Sequence, residues 1–336
     1  MLAADVVARS LERDWGLAGG SLVALGGGMN SQAWVVRAGA RRWVAKAVGP
    51  GAARDLRAGL TVASMVQAAG IPAGAAVPTR DGRSTVAIDG HELALLTFVE
   101  GAELTGDDEH EQRTIGVTLA RVHRALAGQA VRGAARFHWL DAGADHLGIR
   151  DWIRPAVTLV LERWTQIPPT GLTWGLLHSD PAPEAFILDP RTGVCGLIDW
   201  DRALVGPLMY DVASAVMYVG GPDHAGPLLD AYVDAGGLER SEVDQTLEAM
   251  RAVRWAVQAD YFAKRMATND LTGIDRPEEN EMGLEDARDA LAKLRGQVRL
   301  HSADAPVAQW TEHLASDQMV GGSNPSGRAK PVEAPH

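Results

Sequence analysis

The stretch Trp174-Gly-Leu-Leu-His178-Ser-Asp180-Pro-Ala-Pro-Glu184-Ala185-Phe-Ile-Leu-Asp189-Pro-Arg-Thr-Gly193-Val-Cys195-Gly-Leu-Ile-Asp199-Trp-Asp201 decides the reading of this chain. It opens with an apolar run, breaks into a polar turn carrying Asp180, and returns through Ile187 and Leu188. A reversal between Asp189 and Gly193 leads into a second apolar run that ends on Asp199 and Asp201. The pattern predicts two short neighbouring strands whose ends deliver carboxylates to one spot. Acids held on strand ends are fixed more precisely than acids on a mobile loop.

His178-Ser179-Asp180 followed by Ile198-Asp199-Trp200-Asp201 resembles the paired signature segments of the aminoglycoside phosphotransferase family. That family writes the first segment as His-Gly-Asp-x-x-x-x-Asn and the second as Ile-Asp-Trp-x. The resemblance covers roughly residues 18 to 300. It implies an α+β, protein-kinase-like bilobal fold with a small antiparallel-sheet lobe and a mostly helical lobe. It also implies ATP and Mg2+ as cofactors, Asp180 as the catalytic base and Asp199 as a metal ligand. Two positions depart from the family pattern: its Gly falls on Ser179 and its Asn on Ala185. An alanine methyl cannot ligate magnesium; Glu184 beside it reads either as a partial substitute ligand or as a side chain turned to water.

Phosphoryl transfer asks mainly for positioning and charge neutralisation. The upstream sequence supplies candidates. Ser21 to Leu25, Ala33 to Arg37 and Arg42 to Val48 have strand character, and Gly26, Gly27 and Gly28 lie at the first turn. Glycines there let backbone N–H groups approach phosphate oxygens. Lys46 on the third strand is the candidate for neutralising the nucleotide phosphates. The helix predicted from Ala52 to Ala69 has no glutamate to pair with that lysine; the position where the family places one falls near Gly59, and Asp55 is its only carboxylate. The apolar strand from Glu92 leads to a hinge, where the resemblance places adenine against the backbone of Thr97, Phe98 and Val99.

The domain division read from these features is residues 1–98 for a nucleotide-binding lobe, 99–302 for a catalytic and acceptor-binding lobe, and 303–336 for a disordered tail rich in Gly, Ser, Pro and Asn. Segment 131–148 reads as loop, and His123 on the preceding helix reads as a packing residue. Asp211, in a segment resembling the family's Pro-x-x-Tyr-Asp-Leu-Ala, reads as a cap that ties a helix start to the catalytic turn. On the late helices Asp260 and Glu281 read first as solvated helix charges, with contact to a cationic acceptor as the second reading.

Composition bounds the rest. The net charge of -11 and the absence of a basic patch argue against a nucleic-acid partner, while an acidic face would favour a cationic acceptor. Cys195 is the single cysteine, so neither an intramolecular disulfide nor a Cys-rich zinc site can form. No basic leader and no membrane-spanning apolar run is evident, and cytoplasmic residence is the expectation. The resemblance implies ATP-dependent phosphorylation of a hydroxyl on a small metabolite or antibiotic, with oligomeric state left open. Ala185 and the missing helix glutamate keep a second class open, a catalytically impaired nucleotide-binding protein.

Overall fold

The first fold-determining feature is the alternation along the N-terminal strands, which gives each face of one sheet a different partner. A computed structural model describes residues 2–26, 31–137, 140–168, 171–274 and 276–298. Helix α1 (Ala4–Ser10) is followed by strands β1 (Ser21–Leu25), β2 (Ser31–Ala38) and β3 (Arg41–Val48), then helix α2 (Ala53–Ala68) and strands β4 (Val86–Ile88) and β5 (His91–Thr97). The strands form one antiparallel sheet in the order β1-β2-β3-β5-β4. Along β3 the side chains alternate. Ala45 and Ala47 pack with Val7, Leu11, Trp34 and Leu93 on the α1 face. Val48 packs with Leu56, Leu60 and Ala94 on the α2 face, the side to which Lys46 also belongs by its spacing along the strand.

Helix α2 has two apolar sides. Leu56 and Leu60 meet the sheet, whereas Ala58, Val62, Ala63 and Val66 join the main core of the helical part. The helix therefore ties the sheet to the rest of the chain, and its position determines what Lys46 can reach. As the sequence predicts, it stops before Gly70 and Pro72.

The remaining elements in order are β6 (Ala102–Glu103), α3 (Glu109–Ala125), β7 (Ala135–Arg136), α4 (Ile153–Trp164), β8 (Trp174–Leu177), β9 (Phe186–Asp189), β10 (Val194–Leu197), β11 (Leu204–Pro207), α5 (Met209–Tyr218), α6 (Gly226–Asp234), α7 (Arg240–Ala267) and α8 (Glu278–Val298). Strands β9 and β10 form the hairpin expected around Asp189 to Gly193, with Phe186 opposite Leu197. Ile115, Leu119, Val122 and Leu126 form the buried stripe of the α3 segment that its spacing predicts. Cys195 is buried, and burial pushes its thiol up to about 11.

Segment 131–148 departs from its reading as loop. Ala135 and Arg136 form β7, which pairs in parallel with β11, and β11 pairs in turn with β8. A two-residue strand has no periodicity of its own, and its pairing is set by a partner far along the chain. Among the described residues no helix is long and apolar enough to cross a membrane. The segment read as a tail, 303–336, lies outside the described residues.

Candidate functional site

Leu176 and Leu177 bury strand β8 in the core, and the backbone then turns sharply at His178 and Ser179. The turn is held from beneath. Backbone N–H groups of His178 and Ser179 donate to the two carboxylate oxygens of Asp211, at 2.7 and 2.8 Å. Asp211 is fully buried in the first turn of α5. His123 completes the support, with Nε2 at 3.2 Å from the Asp211 carboxylate and Nδ1 at 2.8 Å from the Tyr232 hydroxyl. Because a carboxylate only accepts, Nε2 is the donor in the contact with Asp211. The packing role read for His123 and the capping role read for Asp211 thus meet in one buried network. Ser179 adopts φ +76°, in the left-handed region where the related family has glycine.

The same turn is fixed to the second acid-bearing segment. His178 Nε2 lies 2.8 Å from the carbonyl of Ile198, and its ring meets the Trp200 ring edge-on at 4.7 Å. Trp200 Nε1 donates to the Leu197 carbonyl at 2.8 Å. Residues 178–180 and 198–201 are therefore one unit, although 20 positions separate His178 from Ile198.

At this unit the sheet contributes its lysine. Lys46 Nζ donates to a carboxylate oxygen of Asp199 and to one of Asp201, and the lysine side chain is only 8% exposed. Burial alone would lower the lysine pKa; the two carboxylates more than reverse this and raise it. Burial would likewise push up the Asp199 carboxyl, but Lys46 holds it below the usual carboxylate range. For Asp201, burial joined by the neighbouring Asp199 charge outweighs Lys46 and raises it. The two acids share one cation unequally.

Gly59 explains why no glutamate of α2 intervenes. A Cβ at this position would stand 2.1 Å from the carbonyl oxygen of Trp200 and 2.9 Å from the backbone nitrogen of Arg202. Helix and acid-bearing segment touch through backbone, leaving no room for any side chain at the position where the family pattern places its glutamate. Lys46 is anchored directly on Asp199 and Asp201 instead. Sequence reading missed Asp201 in this role, although its spacing of two from Asp199 was the available signal.

Asp180 faces a different set of groups. Its carboxylate accepts from the Tyr218 hydroxyl at 2.5 Å and from Arg254 Nη2 at 3.1 Å, while Arg254 Nη2 also reaches the tyrosine oxygen at 3.0 Å. Arg254 is buried on α7, whereas the Asp180 side chain is 63% exposed. Burial pushes the Tyr218 pKa well above its ordinary value, so the hydroxyl stays a donor. Burial would lower the Arg254 pKa, but Tyr210, Tyr218 and Asp180 together reverse it. Neither Tyr218 nor Arg254 emerged from the sequence, because nothing local marks a helix arginine whose partner lies 74 positions away.

The other candidates divide. Ala185 is buried in the short turn before β9, and its carbonyl accepts from Ile198 N–H at 2.9 Å. Glu184 is exposed, and no described group of three or more His, Cys, Asp or Glu side chains gathers as a metal site. Gly26 is exposed at the end of β1, and Gly27 and Gly28 lie outside the described residues. Thr97 spends its N–H on the Ala75 carbonyl (2.9 Å) and its hydroxyl on Gln67 (3.0 Å). Thr97, Phe98 and Val99 line a shallow depression with Gln67, Ile71 and Pro72. Asp260 is 2.7 Å from His146 Nε2, and Glu281 accepts from Arg150 at 2.7 Å. Both acids, read first as solvated helix charges, are thus paired within the chain.

An antiparallel sheet whose buried lysine meets an acid-bearing hairpin, followed by a helical part, defines a protein-kinase-like fold. Solved structures share it: an amicoumacin kinase in complex with AMP-PNP and Ca2+ has 12% identity and a TM-score of 0.69, over 87% of this chain and 94% of that one. Choline kinase LicA from Streptococcus pneumoniae has 16% identity and a TM-score of 0.63, over 86% and 98% of the two chains. The sequence matches the phosphotransferase enzyme family over residues 21–253, and the chain belongs to that family. A homoserine kinase of Rhizobium johnstonii is 30% identical over 171 residues, 47% of this chain and 51% of that protein. One of Rhodopseudomonas palustris is 28% identical over 271 residues, 75% and 78% of the two chains. Against the Rhizobium protein the chain spans about half of the relative's length.

Proposed function

We propose that this protein transfers the γ-phosphoryl group of ATP to a hydroxyl of a small molecule, with Mg2+. The observation that carries the reading is the convergence of buried Lys46 on Asp199 and Asp201 beside the turn that holds Asp180. The kinases among the similar proteins, named for homoserine, choline and amicoumacin, support a small-molecule acceptor. The boundary between a nucleotide-binding lobe and an acceptor-binding lobe falls, in this reading, after residue 98.

The donor set fits the cofactors. Asp199 and Asp201 already converge on one cation, the lysine ammonium, and hard carboxylate oxygens suit magnesium, which retains waters and phosphate oxygens as further ligands. In this role Asp201 supplies the carboxylate that Ala185 cannot, and Gly59 accounts for the absent helix glutamate. In this reading Asp201 stands in for the missing metal ligand, and the direct pairing of Lys46 with Asp199 and Asp201 stands in for the missing helix glutamate. When bound, Mg-ATP supplies the phosphoryl group and the charge that neutralises it in transit. Lys46 would then exchange a carboxylate for phosphate oxygens, and Gly26 at the end of β1 and the backbone of Thr97 to Val99 would line the nucleotide's path. Asp180 orients the acceptor hydroxyl and receives its proton, while Asp211 and His123 hold the turn beneath it.

A thermal-shift titration with ATP, with and without magnesium, tests the reading. Ligand at about a hundred times its dissociation constant stabilises the native state by roughly 2.7 kcal/mol. For a chain of this size that is a shift of several degrees. We expect a magnesium-dependent shift that Asp199→Ala and Asp201→Ala each abolish. No shift at millimolar Mg-ATP would remove ATP from the reading.

A further inference from the structure

Arg251 and Arg254 stand one turn apart on α7, and a spacing of three places their Cβ atoms about 5–6 Å apart on one helix face. Both lie beside the C-terminal end of α5. Arg254 stacks over the Tyr218 ring at 5.6 Å and holds Asp180, while Arg251 Nη2 lies 3.9 Å from where a Cβ would stand on Gly221, three residues beyond Tyr218. Their donors are largely unspent. Arg254 uses only Nη2, and its Nε is buried without an acceptor. Arg251 is half-buried, its Nε is also buried without an acceptor, and it makes no hydrogen bond or ion pair among the described residues. Glu248 and Asp223 lie within electrostatic reach of Arg251 without bonding to it, and burial still pulls its pKa below the ordinary arginine value.

Buried guanidinium N–H groups left unpaired carry a desolvation cost, and a planar fork of donors matches a carboxylate better than it matches a hydroxyl or an ammonium. The acids that would instead favour a cationic acceptor, Asp260 and Glu281, are paired with His146 and Arg150. We infer that the acceptor carries a carboxylate, bound by the free donors of Arg251 and Arg254, which sets its hydroxyl against Asp180. The inference deepens the phosphotransferase reading and rests on it for the role of the bound molecule; the binding itself does not depend on phosphate transfer.

Direct binding therefore tests it. Calorimetric titration of the full chain, with 5'-adenylyl imidodiphosphate and magnesium present and again absent, would use L-homoserine, L-serine and 4-hydroxybutyrate, the primary amide of each, and ethanolamine. We expect at least one hydroxy acid to bind ten-fold or more tighter than its amide and tighter than ethanolamine. Arg251→Gln should weaken that acid by about ten-fold or more while leaving its amide unchanged, because a charge-assisted bidentate contact is lost. Arg254→Gln should do the same; because it is buried and can disturb folding, Arg251→Gln, on a half-buried residue, is the deciding variant, with the far-UV circular dichroism of both compared with wild type. Equal binding of acids and amides, preference for ethanolamine, or Arg251→Gln weakening the nucleotide rather than the acid would each overturn the inference. Carboxylate preference without phosphate transfer would overturn only the phosphotransferase reading.

Discussion

The two ends of the site treat their charges in opposite ways. At the sheet end Lys46 is buried and paired with both Asp199 and Asp201, so its charge is balanced before any ligand arrives. At the α7 end Asp180 is largely exposed, and the arginines behind it keep unused donors. An end whose lysine is already paired can hold its geometry while empty and exchange one cation for another. In the inference drawn above, the other end is completed by an anion. Under the proposed function, the difference would put the nucleotide chemistry on a preorganised surface and leave acceptor choice to side chains that a ligand completes.

The most severe break is at the open end. Asp180→Asn should lower turnover by about a hundred-fold or more with nucleotide affinity unchanged, since general-base steps are typically worth about 10²–10⁴-fold. Steady-state kinetics with any accepted substrate decides this, and wild-type turnover in the variant would remove Asp180 from the chemistry.

The closed end breaks through its packing. Gly59→Ala puts a methyl 2.1 Å from the Trp200 carbonyl, against backbone that cannot swing aside. Overpacking of this kind costs about 1–3 kcal/mol. Urea unfolding should show that loss, and the Mg-ATP shift should shrink because the Asp199–Asp201 segment is displaced. An unchanged unfolding midpoint would mean that α2 does not press on this segment.

The pH dependence sharpens the contrast. Lys46 has a raised pKa in the folded protein, so its contribution to stability is fully present below its unfolded value near 10.5 and is lost as pH rises through the higher folded value. The stability difference between wild type and Lys46→Met should therefore shrink above pH 10.5. On the acid side the carboxylates oppose each other. Asp199, lowered, contributes above 3.8 and loses its contribution as pH falls through its folded pKa; Asp201, raised, contributes below 3.8 and loses it as pH rises through its folded pKa. A wild-type minus variant difference that stays flat through the alkaline range would show that Lys46 is not held by the pair.

The smallest effect is at the turn between the ends. Ser179 at φ +76° bears a left-handed strain of about 1–2 kcal/mol that glycine would relieve, offset by glycine's larger unfolded-state freedom of about 0.4–1 kcal/mol. Ser179→Gly should raise stability by about 0.5–1 kcal/mol net, read as a melting increase of roughly 1–2 °C. A decrease would show that the serine hydroxyl contributes more than the strain removes.

The chain's local patterns determined a good deal. Alternating apolar residues and turn signals gave the N-terminal strands, the Asp189 to Gly193 hairpin and the stripe on α3, because these depend on neighbours a few positions apart. The paired acid-bearing segments were legible for the same reason: each is a short run at the end of a strand. Tertiary structure alone decided the rest. Ala185 and Gly59 look like losses in the sequence; one is a buried wall and the other is the contact that lets Asp199 and Asp201 take Lys46 directly. Asp260 and Glu281 look available until His146 and Arg150 are folded against them. Tyr218 and Arg254 sit 38 and 74 positions from Asp180. Local pattern reports which face of a helix is buried, but which charge that face meets is set by packing between distant segments, where solvent is excluded and each unpaired charge must find a partner or a ligand.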